Sequence, residues 1–285
     1  MHRTALQRDY KMKKFQDIII CTDLDGTLLR ADKSITKENL DAITYFQSEG
    51  GYFTFITGRM PFFCYDIYHT LRPNAPVGCI NGGGLFDYET GKYIHACTLD
   101  KRAGELIDYV LERMPHLGVQ VNTLEHIYFH SENVVMEWFR KITGVPNLVK
   151  KWNEIEEDFA KIVFGVASEE DIPRLMELLA SHPYAEQYDF IRSERTLYEI
   201  LPKNVHKGTA LLHLCEYLKI PMSKTVAIGD YNNDIGMIQS AGIGIAVGNA
   251  KPEVKAVADY VTVSNEESAI ARVIDAIEKG EYTFQ

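Results

Sequence analysis

The sequence predicts an α/β fold, with a Rossmann-like parallel-sheet core and a large inserted α+β cap domain. Two observations support the core. Short apolar runs suited to buried parallel strands alternate with amphipathic helices in the first part of the chain, and the same alternation returns in the last third. Such alternation is typical of a parallel sheet covered by helices. The middle of the chain is less regular, which predicts an insertion that splits the core.

The first part of the core begins with an apolar strand at residues 17–22. A helix is predicted over residues 36–48, because Thr36 can cap its start and the pair Gly50-Gly51 ends it. A second strand at 52–56, a helix from 61 to about 71 and a third strand at 77–80 complete this part.

The second part of the core begins with a helix whose apolar face carries Leu211, Leu214 and Leu218 and which ends before Pro221. The remaining predicted elements are strands at 225–228, 242–247 and 260–263 and an amphipathic helix at 266–279.

Domain boundaries follow from these patterns. We predict an N-terminal arm at residues 1–14, a split α/β core made of residues 15–97 and 198–285, and an inserted cap at residues 98–197. Within the cap, three apolar residues are interpreted as packing: Met136, Trp138 and Phe139.

Composition limits the classes of function. The 30 Lys and Arg against 40 Asp and Glu give a net charge of −10, which weighs against general nucleic-acid binding. No stretch reaches the roughly 20 apolar residues of a membrane span. The five cysteines are an odd number without a C-x-x-C pair, as expected for reduced thiols in a cytoplasmic protein. The sequence leaves open whether the protein is a monomer or a small homo-oligomer.

Polar residues follow three of the predicted strands. Asp23 and Asp25 follow the first, Thr57 follows the second, and Asp230 follows the strand at 225–228. The carboxyl ends of parallel strands form the ligand crevice of such folds, so these residues are expected to converge. Crowded carboxylates repel one another unless a hard cation neutralises them, and oxygen ligands suit Mg²⁺.

Two further features favour an anionic substrate. Gly58 lets the backbone approach an anion closely, and Lys207 places a compact positive charge at the start of a helix. A carboxylate nucleophile, Mg²⁺, a hydroxyl donor and a lysine are what phosphoryl transfer requires. Taken singly, each motif is more simply a surface turn, a strand end or a solvated lysine. Their occurrence together and in order favours the functional interpretation.

At these positions the sequence resembles the haloacid dehalogenase-like (HAD) phosphatases, and within them the Cof-type sugar-phosphatase branch. The stretches that carry the resemblance are Asp23-Leu24-Asp25-Gly26-Thr27-Leu28-Leu29, Thr57-Gly58-Arg59, Asn81-Gly82-Gly83, Lys207-Gly208, Gly229-Asp230-Tyr231-Asn232-Asn233-Asp234, Val247-Gly248-Asn249-Ala250 and Ala258-Asp259-Tyr260-Val261-Thr262. The resemblance covers both core segments and is uninformative about the substrate.

The resemblance implies a role for each matching residue. Asp23 attacks phosphorus and becomes an aspartyl phosphate, while Asp25 serves as the general acid and base. Side chains of Asp23 and Asp230 and the backbone carbonyl of Asp25 hold Mg²⁺. The phosphate-binding residues are Leu24, Thr57, Gly58, Lys207 and Asn233. Asp234 supports the metal site or Lys207, and Arg59 either faces the site or forms a structural ion pair.

The implied activity is Mg²⁺-dependent hydrolysis of small phosphorylated metabolites, with sugar phosphates as the leading class. The insertion falls where this branch carries a cap that closes over the site. Two alternatives remain open at this point. A phosphomutase would return the phosphoryl group to its substrate, and a non-catalytic phospho-sensor would keep it on Asp23.

Overall fold

The computed structural model describes residues 13–284, so residues 1–12 of the predicted arm lie outside the described part. The strands are β1 (Ile19–Thr22), β2 (Tyr52–Phe55), β3 (Val77–Cys79), β4 (Gly84–Asp87), β5 (Lys92–Ala96), β6 (Gly118–Thr123), β7 (Ile127–Ser131), β8 (Leu148–Val149), β9 (Phe159–Gly165), β10 (Tyr188–Glu194), β11 (Leu197–Pro202), β12 (Thr225–Gly229), β13 (Ile243–Ala246) and β14 (Tyr260–Val261). The helices are α1 (Lys37–Ser48), α2 (Tyr65–Leu71), α3 (Ala103–Leu111), α4 (Val134–Thr143), α5 (Ile172–Ser181), α6 (Lys207–Leu218), α7 (Ile235–Ser240), α8 (Pro252–Lys255) and α9 (Ala269–Glu278).

The core is a five-stranded parallel sheet in the order β14-β13-β12-β1-β2. Strand β1, which lies between β12 and β2, is buried on both faces, as its continuous apolar sequence predicts. Helices α1 and α9 cover one face, where Phe46 and Val273 join one apolar cluster with Ile20. Helix α6 covers the other face, where Leu211 packs with Ile19. This confirms the predicted parallel α/β core.

The inserted part is built around a separate mixed sheet of six strands in the order β10-β11-β9-β6-β7-β8. We call this sheet, with α3, α4 and α5, the cap. Helices α3 and α5 cover one face, on which Val119 and Val121 of β6 meet Ile162 of β9. The alternate residues of the same strands face the carboxyl edge of the core sheet, because side chains alternate along a strand.

Strand β11 shows where the chain returns to the core. It spans residues 197–202 and pairs with β9 and β10, so the predicted domain boundary at residue 198 falls inside a strand of the cap sheet.

The cysteines and the helix lengths bear on two further sequence expectations, those of reduced thiols and of no membrane span. The five cysteines are all unpaired, and four of them are buried. Among residues 13–284, every helix is too short or too polar to cross a bilayer.

A buried histidine of the cap makes the folding free energy depend on pH. His130 accepts a hydrogen bond from the backbone N–H of Trp152 at 3.0 Å, through Nδ1. Burial, together with the charge of Lys151, lowers the pKa of His130 to about 4. An unfolded histidine titrates near pH 6.5. Above that pH both states are neutral and the ring has no effect on stability.

Below pH 6.5 the unfolded chain binds the proton more readily, so stability falls until the pH reaches about 4. We expect acidification from pH 7.5 to 5.0 to reduce the free energy of unfolding by about 2 kcal/mol more in the wild type than in His130→Asn. Asparagine keeps an acceptor for Trp152 but does not titrate. Urea unfolding at the two pH values measures the difference, and equal pH dependence in both proteins would contradict the assignment.

Candidate active site

The carboxyl ends of β1, β2 and β12 lie side by side and form the floor of a cavity. The N–H of Asp23 donates to the carbonyl of Ile228 at 2.9 Å, which ties the end of β1 to β12. The N–H of Thr57 donates to Gly78 at 3.0 Å, which fixes the end of β2. The cavity between this floor and the cap has a volume of about 410 Å³, within the range of small-molecule sites.

Most of the sequence-predicted site residues meet in this cavity. Six of them line it: Asp23, Asp25, Thr57, Gly58, Asp230 and Asn233. Lys207 and Asp234 lie directly behind the floor and are almost completely buried. The side chain of Leu24 is buried in the apolar core, so only its backbone is available to the site.

Lys207 bridges two buried carboxylates. Its ammonium donates to Asp23 Oδ1 at 2.5 Å and to Asp234 Oδ1 at 2.6 Å. Burial alone would lower the pKa of Lys207, but the two carboxylates raise it above its ordinary value, so the side chain stays charged. Burial raises the pKa of Asp23 well above its usual range against the charge of Lys207, and Asp234 and Asp230 raise it further. Three carboxylates, those of Asp23, Asp230 and Asp234, thus share the floor with one lysine, and a further cation there would relieve their mutual repulsion.

The loop that follows β1 holds Asp230 beside Asp23. Thr27 Oγ1 donates to Asp230 Oδ1 at 2.8 Å. Gly26 has a φ of +81°, and a Cβ there would lie 2.7 Å from Asp230 Oδ2, so only glycine allows this approach. Burial, together with the charge of Asp234, raises the pKa of Asp230 to about 6.

The donor set fits a hard divalent cation. Carboxylate oxygens of Asp23, Asp230 and Asp234 lie within 4.8 Å of one another. Both oxygens of Asp234 have protein partners, since Oδ2 accepts the N–H groups of Asp230 and Tyr231 while Oδ1 accepts from Lys207. In the described part of the chain, the second oxygens of Asp23 and Asp230 accept no hydrogen bond. Two free carboxylate oxygens in a site with excess negative charge suit Mg²⁺.

Asp25 lies at the cavity wall in a network with two cations. Arg59 donates to both of its oxygens, at 2.6 and 2.8 Å, and Lys33 donates to Oδ1 at 2.7 Å. Burial alone would raise the pKa of Asp25, but Arg59 and Lys33 outweigh it and lower the pKa. Arg59 thus combines the two roles that the sequence left open, because it lines the cavity and forms an ion pair.

The roof of the cavity comes from the cap, and sequence reasoning did not identify its residues. Gln120 and Asn122 of β6 and Lys161 of β9 face the floor. All three are buried, and Asn122 Oδ1 has no hydrogen-bond partner among the described residues. The available signal was the alternation of polar and apolar residues in Val119-Gln120-Val121-Asn122, in which the polar positions form one face.

Two of the three cap residues interpreted as packing have other positions. Met136 is fully buried, as expected. Trp138 is 57% exposed, so its interpretation as packing was wrong, because α4 covers the cap with only one of its faces. Phe139 lines the cavity, where it packs edge-on against Phe63 with ring centres 5.9 Å apart.

Comparisons with known proteins agree with this geometry. A sequence model of a family described as haloacid dehalogenase-like hydrolase matches residues 20–274. YwtE of Bacillus subtilis (strain 168) is 30% identical over 292 residues, which cover 92% of this chain and 99% of YwtE. YitU of the same organism is 29% identical over 263 residues, covering 90% and 96% of the two chains. Both relatives bear the name 5-amino-6-(5-phospho-D-ribitylamino)uracil phosphatase.

Solved structures share the fold. A haloacid dehalogenase-like hydrolase from B. subtilis superposes with a TM-score of 0.77 at 27% identity, over 90% of this chain and 98% of the other. The subclass IIB sugar phosphatase BT4131 superposes with a TM-score of 0.78 at 20% identity, over 91% and 98%. The parallel core with an inserted cap sheet is thus a known arrangement.

Proposed function

Because this chain belongs to the haloacid dehalogenase-like hydrolases and is a phosphatase of that family acting on small phosphorylated metabolites, we propose that it hydrolyses phosphate esters of hydroxyl-rich alcohols through a phosphoaspartate on Asp23. Sugar phosphates are the leading class. One observation supports this most strongly: the cavity places Asp23 and its cation-binding neighbours beneath a roof with two carboxamides, Gln120 and Asn122.

The first step is attack of the Asp23 carboxylate on phosphorus. A bond forms between the Asp23 oxygen and phosphorus, the bond from phosphorus to the alcohol oxygen breaks, and the alcohol takes a proton from Asp25. The second step is hydrolysis, in which Asp25 removes a proton from water as the water oxygen bonds to phosphorus. The bond between phosphorus and the Asp23 oxygen breaks, which releases inorganic phosphate and restores the Asp23 carboxylate. Thr57, Gly58 and the backbone of Leu24 bind the phosphoryl oxygens, and Lys207 orients Asp23.

The protons must pass through Asp25, which the structure holds between Arg59 and Lys33. These cations favour its ionised form, which is the form that accepts a proton from water. The acid step therefore requires that Asp25 arrive protonated, and we infer that substrate binding displaces Arg59 or Lys33 from it.

A divalent cation completes the site. Asp23, Asp230 and the backbone carbonyl of Asp25 would hold Mg²⁺, which when bound offsets negative charge on the phosphate and the nucleophile. Asp234 is left to orient Lys207, because both of its oxygens already have partners.

The cap supports the substrate class. Carboxamides both donate and accept hydrogen bonds, so Gln120 and Asn122 match hydroxyl groups, which do the same. Asn122 Oδ1 is a buried acceptor that a substrate hydroxyl would satisfy. YitU and YwtE are named as phosphatases of a compound that carries a phosphorylated ribityl chain. Such a chain is also rich in hydroxyl groups, so these names favour the same substrate class.

A screen of phosphorylated metabolites tests reaction, metal and specificity together. The purified protein is incubated with sugar phosphates, polyol phosphates and p-nitrophenyl phosphate, in Mg²⁺ and in EDTA. We expect inorganic phosphate to be released in Mg²⁺, loss of activity in EDTA, and a higher kcat/KM for hydroxyl-rich esters than for p-nitrophenyl phosphate. Isomerised ester without free phosphate would instead indicate a phosphomutase. A long-lived phosphoprotein without released phosphate would indicate a phospho-sensor.

A further inference from the structure

We propose that Glu199 of the cap is a positioning residue for Asn233, and that it acts through Asn81 of the core. The proposal rests on the proposed function, because it assigns to Asn233 the task of donating a hydrogen bond to the substrate phosphate. It adds that a cap lying closed on the core fixes the orientation in which Asn233 can donate to that phosphate.

Three buried side chains from distant parts of the chain form a continuous path of hydrogen bonds, from Glu199 through Asn81 to Asn233. Asn81 Nδ2 donates to Glu199 Oε2 at 2.9 Å, across the boundary between core and cap. Asn233 Nδ2 donates to Asn81 Oδ1 at 2.9 Å. Glu199 is 2% exposed, Asn81 is fully buried and Asn233 is 8% exposed at the cavity wall.

The carboxylate of Glu199 determines which groups donate and which groups accept hydrogen bonds along this path. As a carboxylate, Glu199 only accepts hydrogen bonds, and it accepts them from Lys161 and Ser193 of the cap as well as from Asn81. Asn81 must therefore present its NH₂ group to Glu199 and its oxygen to Asn233. Asn233 must in turn present its NH₂ group, of which one hydrogen binds Asn81 and the other remains for an anion in the cavity.

The backbone around Asn81 is held in a conformation that residues with a side chain rarely adopt. Ile80 has a φ of 56° and Asn81 a φ of 52°, both in the left-handed region. Such conformations are unfavourable and persist only where their surroundings fix them. The N–H of Asn81 donates to the carbonyl of Thr57 at 3.0 Å, so this turn is anchored directly to the phosphate-binding loop.

A second contact from the cap reaches the same loop. Lys161 Nζ, which is paired with Glu199, donates to the carbonyl of Gly58 at 3.1 Å. A Cβ at Gly58 would lie 2.8 Å from Asn81 Oδ1, so Asn81 packs directly on this loop. The cap-to-core contacts of Glu199 with Asn81 and of Lys161 with Gly58 require the cap to lie on the core. In our proposal, an open cap would therefore leave the orientation of Asn233 unconstrained.

A double-mutant cycle tests the path. Asn81→Asp sets a carboxylate against Glu199, and we expect kcat/KM and the affinity for inorganic phosphate to fall about 100-fold. Glu199→Gln alone should lower both about tenfold, because one amide oxygen cannot serve Lys161, Ser193 and Asn81 together. In the variant that carries both substitutions, the new amide of the cap can donate to the new carboxylate of the core, which still accepts from Asn233. Its activity and phosphate affinity should therefore exceed those of Asn81→Asp at least about tenfold.

Glu157→Gln is the matched control, since it is also a cap glutamate that accepts a hydrogen bond, from Tyr128 at 2.6 Å, but it lies outside the cavity. It should behave as the wild type. Phosphate affinity is measured by calorimetry in Mg²⁺, so the path remains testable if the wild type hydrolyses no ester and the proposed function fails. A double variant no better than Asn81→Asp would overturn the proposal. If Asn81→Asp does not fold, unchanged phosphate affinity in Glu199→Gln would do the same.

Discussion

Replacing Asp23 with Asn is expected to reduce turnover about 10⁴-fold or more, as removal of a nucleophile does in other enzymes. The carboxamide has nearly the same shape and can still accept the hydrogen bond from Lys207, so the fold should be kept. It lacks the charge and nucleophilicity needed to attack phosphorus. Phosphate release from p-nitrophenyl phosphate in Mg²⁺ measures the loss, and circular dichroism checks the fold.

Asp25→Asn is the matched comparison, because it makes the same chemical change two residues away. In this variant a phosphoenzyme should still form on Asp23, but its hydrolysis should be slow, so a mass increase of one phosphoryl group should be detectable in intact protein. A near wild-type rate in Asp23→Asn would remove the nucleophile assignment. A normal steady-state rate in Asp25→Asn would remove the acid–base assignment.

The floor of the site could be foreseen from the sequence because its position follows from topology. Asp23, Thr57 and Asp230 come directly after strands that the apolar runs make recognisable, and parallel strands bring their carboxyl ends to one edge. The chain separation of some 200 residues is no obstacle, since a sheet places its strand ends together whatever lies between them. The same reasoning gives the parallel core, which the structure confirms.

The roof could not be foreseen in this way. Asn122 and Lys161 are cross-strand neighbours, yet nothing in the sequence fixes the register between β6 and β9. The orientation of Asn81 depends on a left-handed turn at Ile80-Asn81, which local propensity disfavours for isoleucine. Such features depend on tertiary contacts, so sequence patterns identified the residues of the floor, to which we assign the reaction, but not the cap residues that line the cavity above them.

Replacing Lys207 with Met should affect both stability and activity strongly. The Lys207 side chain is 1% exposed, and its ammonium contacts Asp23 and Asp234, which are also buried. Removing one partner from a buried ion pair leaves uncompensated charge and costs about 3–5 kcal/mol. The methionine fills the space of the lysine stem, so the effect is one of charge rather than of a cavity. Urea unfolding in EDTA measures the loss in free energy of unfolding, and phosphate release in Mg²⁺ measures the loss of turnover.

Lys37→Met provides the matched control. Lys37 also forms an ion pair, with Asp41 at 2.5 Å, but its side chain is 81% exposed, and such surface pairs contribute roughly 0–1 kcal/mol. The control should therefore retain stability and turnover. If Lys207→Met were as stable as Lys37→Met in EDTA, the carboxylates of Asp23 and Asp234 would have to be neutral in the absence of the cation. In that case turnover in Mg²⁺ would still fall, because Lys207 would no longer hold Asp23 in the orientation for attack. The two measurements thus separate the contribution of Lys207 to the fold from its contribution to the reaction.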